Sequence, residues 1–312
     1  MPYFSVIMPL YNKGLYVRRA VESVVGQSFT DWELVVVDDG STDGGGDAVV
    51  AVGDPRVRLR RQENAGVSAA RNRGVAASDS GCQYICFLDA DDWWEPTFLE
   101  EMAGLTRRYP EAGIYGTGYY IVKNGKRRVA PIGVEDGFTE GEINYCRVYA
   151  KTLCMPLTSI SVCVRREVFE EMGGFPEGIA MGEDFLLWMQ IALKHKVVLL
   201  NRPLSYYNQD VENTSRGIGR SYEPSRFMTF HFSKFAEAER KDADVKRLLD
   251  NLRVYTLMRF RRHNRCADEV RREIAQVDFA NVPPIYRFYY KAPYWLVASY
   301  LWMKETAVKQ RI

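Results

Sequence analysis

Residues 84–96 read YICFLDADDWWEP: an apolar run, then three carboxylates in four positions, then two tryptophans and a proline. Acids are rarely placed at the end of an apolar strand without a partner. Asp89 and Asp91 stand two apart, so in an extended chain both project from one face. Two further acidic pairs share this character: Asp38 and Asp39 in VVVDDGSTD, and Glu183 and Asp184 in GEDFLLW. Carboxylates so arranged could hydrogen-bond a sugar or a base. They would repel a diphosphate unless a divalent cation intervened. Mg²⁺ and Mn²⁺ suit that role, because they bind one or two carboxylates together with substrate phosphates. Asp184 opens the amphipathic run EDFLLWMQIALK, where the helix dipole favours its charged form. Asp92 is expected to cap the helix that Pro96 opens, and Glu183 to complement the dipole of its own helix.

The surrounding pattern supplies the elements that would carry these groups. FSVIMP (4–9), WELVVVDD (32–39), RVRLRRQE (56–63) and YICFLD (84–89) read as strands. Between them, NKGLYVRRAVESVVGQS (12–28), a short helix after GSTDGGGD, and the small-residue run NAGVSAARNRGVAAS (64–78) read as helices. Alternation of this kind builds a parallel, doubly wound sheet, with ligands outside the carboxyl ends of its strands. Those ends carry PLYN, DDGSTD, QENAG and DADD. After residue 113 the pattern changes. KNGK signals a hairpin. A helix near 138–150, a strand near 160–165, the helix 183–194 and two short strands, VVLLN and LSYYN, follow. Residues 223 to about 275 read as helical and charged.

Composition narrows the classes. The 312 residues are 46% hydrophobic and 26% charged, with a formal net charge of +2, as in ordinary soluble domains. The charge is uneven: from residue 253 onward there are 12 Lys/Arg against 5 Asp/Glu, and before it 30 against 35. Six cysteines without a CxxC pair read as small core residues in a reducing compartment. Three scattered histidines do not make a zinc site with them. No run of 18 apolar residues suggests a transmembrane helix, and the N-terminus is too soon broken for a signal peptide. A cytoplasmic protein is expected, in which the sequon at Asn213 is idle. The first strand is followed by PLYNKG, with neither GxGxxG nor a Walker loop, so no glycine loop cradles phosphates here.

SVIMPLYN, VVVDDGSTD, ENAGVSAARNRG, FLDADD and GEDFLLW, in that order, resemble the inverting, nucleotide-sugar-dependent glycosyltransferases of family 2. The resemblance covers roughly residues 4–210. It implies an α/β, GT-A type fold, with a Rossmann-like, mostly parallel sheet flanked by helices and a C-terminal helical appendage. It implies a catalytic domain over 1–220, with a nucleotide half (1–112) and an acceptor half (113–220), followed by a helical, basic and aromatic region over 221–312. Pro9, Tyr11 and Asn12 would line the nucleotide pocket, Asp39 would bond the base, and Arg71 would sit near the base or diphosphate. Asp89 and Asp91 would form the DxD motif, with Asp91 the metal ligand and Asp89 on ribose or metal. Asp184 would be the catalytic base. Asn208 stands where many relatives place a histidine, which would leave the metal site looser or completed by water. The QxxRW motif of processive membrane polymerases is absent, so transfer of a single sugar or a short chain is expected.

The implied reaction is transfer of a sugar, UDP-linked by preference, to a saccharide or lipid-linked saccharide, with Mg²⁺ or Mn²⁺, in cell-surface polysaccharide synthesis. Two rivals are a sugar nucleotidyltransferase and a non-catalytic sugar-binding descendant. The first needs a basic triphosphate loop after the first strand, where only Lys13 is offered; the intact acids oppose the second. The tail IYRFYYKAPYWLVASYLWMK holds eight aromatics with Arg287, Lys291 and Lys304. It suits peripheral contact with the inner face of a membrane, against the alternative that it packs back on the catalytic domain or forms a dimer contact. No recognition module for nucleic acid accompanies the basic residues.

Overall fold

The structure, a computed structural model, describes residues 1–211 and 222–309, leaving out the side chains of 301, 302 and 304–309. Asn213 of the sequon and the side chain of Lys304 lie outside the described residues. The chain forms two compact units, Met1–Gly219 and Arg220–Ile312.

The first unit is built on one mixed sheet. Its elements are β1 (Phe4–Leu10), α1 (Gly14–Val25), β2 (Trp32–Asp38), α2 (Gly45–Val50), β3 (Val57–Arg61), α3 (Val67–Ala77), β4 (Tyr84–Phe87), β5 (Trp93–Trp94), α4 (Phe98–Arg108), β6 (Ala112–Lys123), β7 (Lys126–Val129), β8 (Glu140–Ile143), α5 (Tyr145–Thr152), β9 (Val162–Arg165), α6 (Arg166–Glu171), α7 (Glu183–Ala192) and β10 (Lys196–Asn208). The strand order is β3-β2-β1-β4-β9-β6-β10-β5, with β7 beside β6 and β8 beside β10. β3, β2, β1 and β4 run parallel, and β6 and β10 run parallel to each other. β9 joins the two groups by antiparallel pairing on both sides.

The local reasons are those visible in the sequence. β1, β2 and β4 are buried along their whole length, as continuous apolar runs in a parallel sheet must be. α1 turns Val17, Ala20, Val21 and Val24 onto the sheet, a helical stripe at i, i+3, i+4 and i+7. Asn124 and Gly125 close the β6–β7 hairpin with φ of 53° and 68°, the sign a two-residue hairpin turn demands. α3 uses its small residues to lie close on the sheet. A Cβ at Gly74 would fall on Ile7 Cγ2 and stand 3.3 Å from Val37 Cγ2.

Two expectations change. The strands VVLLN and LSYYN are one strand, β10, whose register with β6 slips at Pro203. Proline cannot donate to the ladder, so the strand bulges there rather than ending. Opposite the bulge, a Cβ on Gly118 would come within 3.1 Å of the Arg202 carbonyl carbon. The helix expected near 138–150 begins only at Tyr145, where the Asn144 side chain accepts the Arg147 N–H at 2.9 Å. Residues 140–143 instead pair antiparallel with β10, because the free edge of β10 supplies a ladder that local propensity does not foresee.

The second unit is helical: α8 (Ala236–Lys241), α9 (Ala243–Arg262), α10 (Ala267–Ile274), α11 (Pro284–Lys291) and α12 (Tyr294–Lys309). Its centre is ionic. The fully buried Arg253 is held by Glu239, Glu273 and Gln276. Among the described residues no helix is long and apolar enough to cross a membrane.

Gly74→Ala tests the close approach of α3. Alanine ordinarily improves a helix by up to about 1 kcal/mol, yet here the added methyl meets Ile7 of β1 and crowds Val37 of β2. The variant should lose about 1–3 kcal/mol of unfolding free energy in a denaturant titration.

Candidate active site

The carboxyl ends of β1, β2 and β4 converge with the first turn of α7. Each loop is fixed by its own polar side chains. Asn12, in the left-handed conformation at φ 49°, accepts the Thr42 N–H at 2.9 Å, and its own N–H reaches Ser41 Oγ at 3.1 Å. The loop after β1 is therefore tied to the loop after β2. Asp43 strengthens the tie by accepting the Gly14 N–H at 2.7 Å. Tyr11 is 39% exposed beside them, whereas Pro9 is buried inside β1.

Asp39 is buried and accepts three bonds, from Gln62 Nε2 at 2.7 Å and from the N–H groups of Ala65 and Gly66 at 2.9 Å. It shapes the loop that leads into α3. Asn72, one turn into that helix, clamps the backbone of Phe175 through both its amide atoms at 2.9 Å. The segment that leads to α7 is thus anchored on α3.

Between these anchors lies Arg71. It is 2% exposed. Its Nη2 donates to Asp89 Oδ1 at 2.7 Å and its Nη1 to Glu183 Oε1 at 2.8 Å. Its guanidinium also lies 5.0 Å from the Phe175 ring centroid. Both terminal nitrogens of Arg71, expected beside a base or diphosphate, are paired with carboxylates, one of them the Asp89 of the acidic loop. Burial opposes its charge, but the two acids outweigh it and raise its pKa. Glu183, expected only to complement a helix dipole, is the partner that completes the bridge. A pair separated by 112 positions leaves no local trace in the sequence.

The three acids of FLDADD have unequal environments. The Asp89 side chain is 31% exposed and the Asp91 side chain 19%. Asp91 Oδ2 accepts from Lys13 Nζ at 2.6 Å. Burial and the neighbouring Asp89 push its pKa up, and Lys13 pulls it down. Asp92 is buried and does not cap a helix. Its Oδ1 accepts the Asn208 N–H at 2.7 Å, and the residue before α4 is Thr97. The loop after β4 turns back on itself, Asp92 N–H bonding Asp89 O, and this aims the carboxylate at β10 instead of forward along the chain. Burial and the charges of Asp91 and Asp89 raise the Asp92 pKa well above the carboxylate range. Asn208 also donates to the Asp91 carbonyl at 3.2 Å, so it braces the acidic loop. Trp93 stacks on Tyr206 at 4.8 Å beneath the Arg19 guanidinium, and Trp94 stacks on Phe98 at 4.1 Å.

Asp184 sits in the first turn of α7, partly buried, its Oδ1 accepting the Phe185 N–H at 2.7 Å. The helix terminus does not win at this position. Burial, with Glu183 beside it, pushes the Asp184 pKa up to about 7 against the pull of Arg71.

The donor set can be judged for a divalent ion. Asp89 and Asp91 each have one oxygen in an ion pair, and Asp91, Asp92 and Asp184 all lie in a field that penalises further negative charge. Among the described residues no group of three or more His, Cys, Asp or Glu forms a ready cage. These residues fit a hard cation shared with a substrate diphosphate, the coordination Mg²⁺ prefers.

Comparison with known proteins agrees with the geometry. The family described as glycosyl transferase family 2 matches residues 5–173. The glycosyltransferase GlyA of Streptococcus pneumoniae is 38% identical over 214 residues, which make up 65% of this chain and 30% of that protein. An uncharacterized glycosyltransferase of Rickettsia felis is 30% identical over 204 residues, 64% of this chain and 32% of that protein. The chain thus spans about a third of the length of these curated relatives. Among solved structures, S. aureus TarS 1–349 in complex with UDP-GlcNAc superposes with a TM-score of 0.60 at 18% identity, over 94% of this chain and 91% of that one. The mannosyltransferase PcManGT of Pyrobaculum calidifontis, in complex with GDP-Man and Mn²⁺, gives 0.54 at 20% identity, over 97% and 88%. The fold is the GT-A type that the sequence resemblance implies.

The raised Asp184 pKa has a consequence for stability. A carboxyl group that binds its proton more tightly in the folded state stabilises the fold fully below its unfolded pKa, and this contribution is lost as pH rises through the folded value of about 7. Asp184→Asn should therefore gain on the wild type between pH 4 and pH 8, by up to about 4 kcal/mol, in unfolding free energies from denaturant titrations across that range.

Proposed function

Because the chain belongs to glycosyl transferase family 2, we propose that it is a metal-dependent, inverting glycosyltransferase. It moves a sugar from a nucleotide donor, UDP-linked by preference, to a saccharide or lipid-linked saccharide in cell-surface polysaccharide synthesis. The observation that carries this reading is the Asp89–Arg71–Glu183 bridge. Through it the candidate base, next in sequence to Glu183, and the acidic loop after β4 belong to one site. The TarS complex with UDP-GlcNAc supports a UDP donor, and the PcManGT complex with GDP-Man and Mn²⁺ supports a divalent cation.

The residues divide the work. Tyr11, exposed after the end of β1, offers a ring face to the base, with Pro9 of the strand lining the pocket and Asn12 fixing the loop. Asp39 addresses the base while holding 62–66 in place. Asp91 and Asp89 would hold the ion, Asp89 reaching ribose or metal; bound there, the ion would offset charge on the departing diphosphate. Asp184 accepts the proton of the acceptor hydroxyl as that oxygen bonds to the anomeric carbon and the bond to the diphosphate breaks. With one base and no enzyme nucleophile, this single displacement inverts the anomeric configuration. Arg71 and Glu183 keep the base and the acidic loop in register.

In the helical unit, Trp295 is 68% exposed, and Tyr294, Leu296, Ile285 and Met303 are exposed beside the exposed cations Arg287 and Lys291. This mixture of aromatic, aliphatic and basic groups supports peripheral contact with an anionic membrane face, where a lipid-linked acceptor resides.

Thermal shift with nucleotides and nucleotide sugars in Mn²⁺ or Mg²⁺ identifies the donor, since a ligand of the native state raises the melting temperature. With that donor, Asp91→Asn and Asp184→Asn should each lower transfer by about 10²-fold or more while the fold survives; full activity in either variant removes that residue from its role. The wild-type kcat/KM should rise with pH through about 7, because the base must be ionised in the free enzyme. A profile flat from pH 5.5 to 8 would exclude Asp184 as the base.

A further inference from the structure

Lys13 has the best-defined contact in the site that the proposed reaction does not use. It leaves the end of β1 and places Nζ 2.6 Å from Asp91 Oδ2, with side-chain exposure of 16% and 19% for the two partners. Its backbone is held: the Lys13 carbonyl accepts the N–H groups of Tyr16 and Val17 at 2.9 Å, and Asn12 beside it is tied to Ser41 and Thr42. The anchor is therefore rigid while the four-carbon stem is not. Lysine differs from arginine in this respect, being a compact point charge on a flexible stem without a fixed fork.

We propose that Lys13 is a tethered cation that competes with the divalent ion for Asp91 and passes to the donor's diphosphate when the ion binds. The proposal rests on the reading of Asp91 as a metal ligand. A divalent ion on either Asp91 oxygen sets a second, larger positive charge beside Nζ and draws on the same carboxylate charge. Ion binding at Asp91 therefore repels Nζ and weakens its hold on Oδ2. The displaced charge stays within a stem's length of the same loop, where an ion-bound diphosphate adds negative charge. Two consequences follow from the geometry. Asp91 is compensated when the site holds no donor, which spares the partly buried acidic loop an unpaired charge. Ion and nucleotide binding are also coupled, because the nucleotide takes up the charge that the ion expels.

Mn²⁺ binding to the purified full chain without nucleotide, followed by the electron paramagnetic resonance of free Mn²⁺, tests this directly. Lys13→Met, which keeps the stem and removes the charge, should bind Mn²⁺ about tenfold more tightly than the wild type. At saturating Mn²⁺ the same variant should bind UDP several-fold more weakly by calorimetry. Arg19→Met is the control: its guanidinium donates to the Asp91 carbonyl, at 3.5 Å, and lies over Trp93. It removes a nearby charge without touching the carboxylate and should change Mn²⁺ affinity much less. Unchanged or weaker Mn²⁺ binding in Lys13→Met overturns the exchange, as does equal tightening in Arg19→Met. If Asp91→Asn binds Mn²⁺ as well as the wild type, the metal reading of Asp91 fails and the exchange falls with it.

Discussion

The buried guanidinium of Arg71 is the constraint on which the site depends. A cation at this depth survives only with partners on both sides, and Asp89 and Glu183 supply them. Because the partners lie on different elements, the pairing fixes the acidic loop after β4 against the first turn of α7. In the proposed reaction, this couples in position a place for the leaving diphosphate and a base for the incoming hydroxyl. Removing either acid would leave the buried arginine short of a partner, so the bridge is a structural commitment as well as a chemical one.

Around that bridge, the loops at the strand ends are held by side chains that bond to backbone. Asn12 joins the loops after β1 and β2, Asp39 holds 65–66, Asn72 clamps Phe175, and Asp92 takes the Asn208 N–H. Each bond satisfies a backbone group that the turn would otherwise leave open. A site made of loops gains in this way the positional precision that catalysis asks of rigid elements.

The electrostatics of the site follow from the same crowding. Asp91, Asp92 and Asp184 are all pushed towards their neutral forms by burial and by neighbouring acids, Asp89 among them in each case. That field is poor for an isolated anion and good for a divalent cation. It also holds a carboxyl group at the start of a helix near neutrality, where proton transfer is most efficient. The position of Asp184 at a helix terminus suggests a strongly ionised acid. Desolvation and the adjacent Glu183 decide otherwise, because the dipole acts weakly compared with a full charge one residue away.

The sequence by itself determined the parallel β/α layering, the order of the motifs and the family to which they belong. These follow from local periodicity and from short runs whose meaning does not depend on distant residues: the apolar strands of VVVDD and FLDADD, the stripe of α1, the turn in KNGK. The tertiary structure alone decided the partners. That Arg71 is held between two acids, that Glu183 is its second partner, that Lys13 covers Asp91, and that Asp92 bonds β10 instead of capping α4 all rest on contacts across 18 to 116 positions. The single bulged strand through Pro203 and the pairing of 140–143 with its edge belong with them. No local pattern encodes such contacts, because a charged side chain is paired by whatever the fold brings to it, and its burial is known only once the sheet and helices have closed around it.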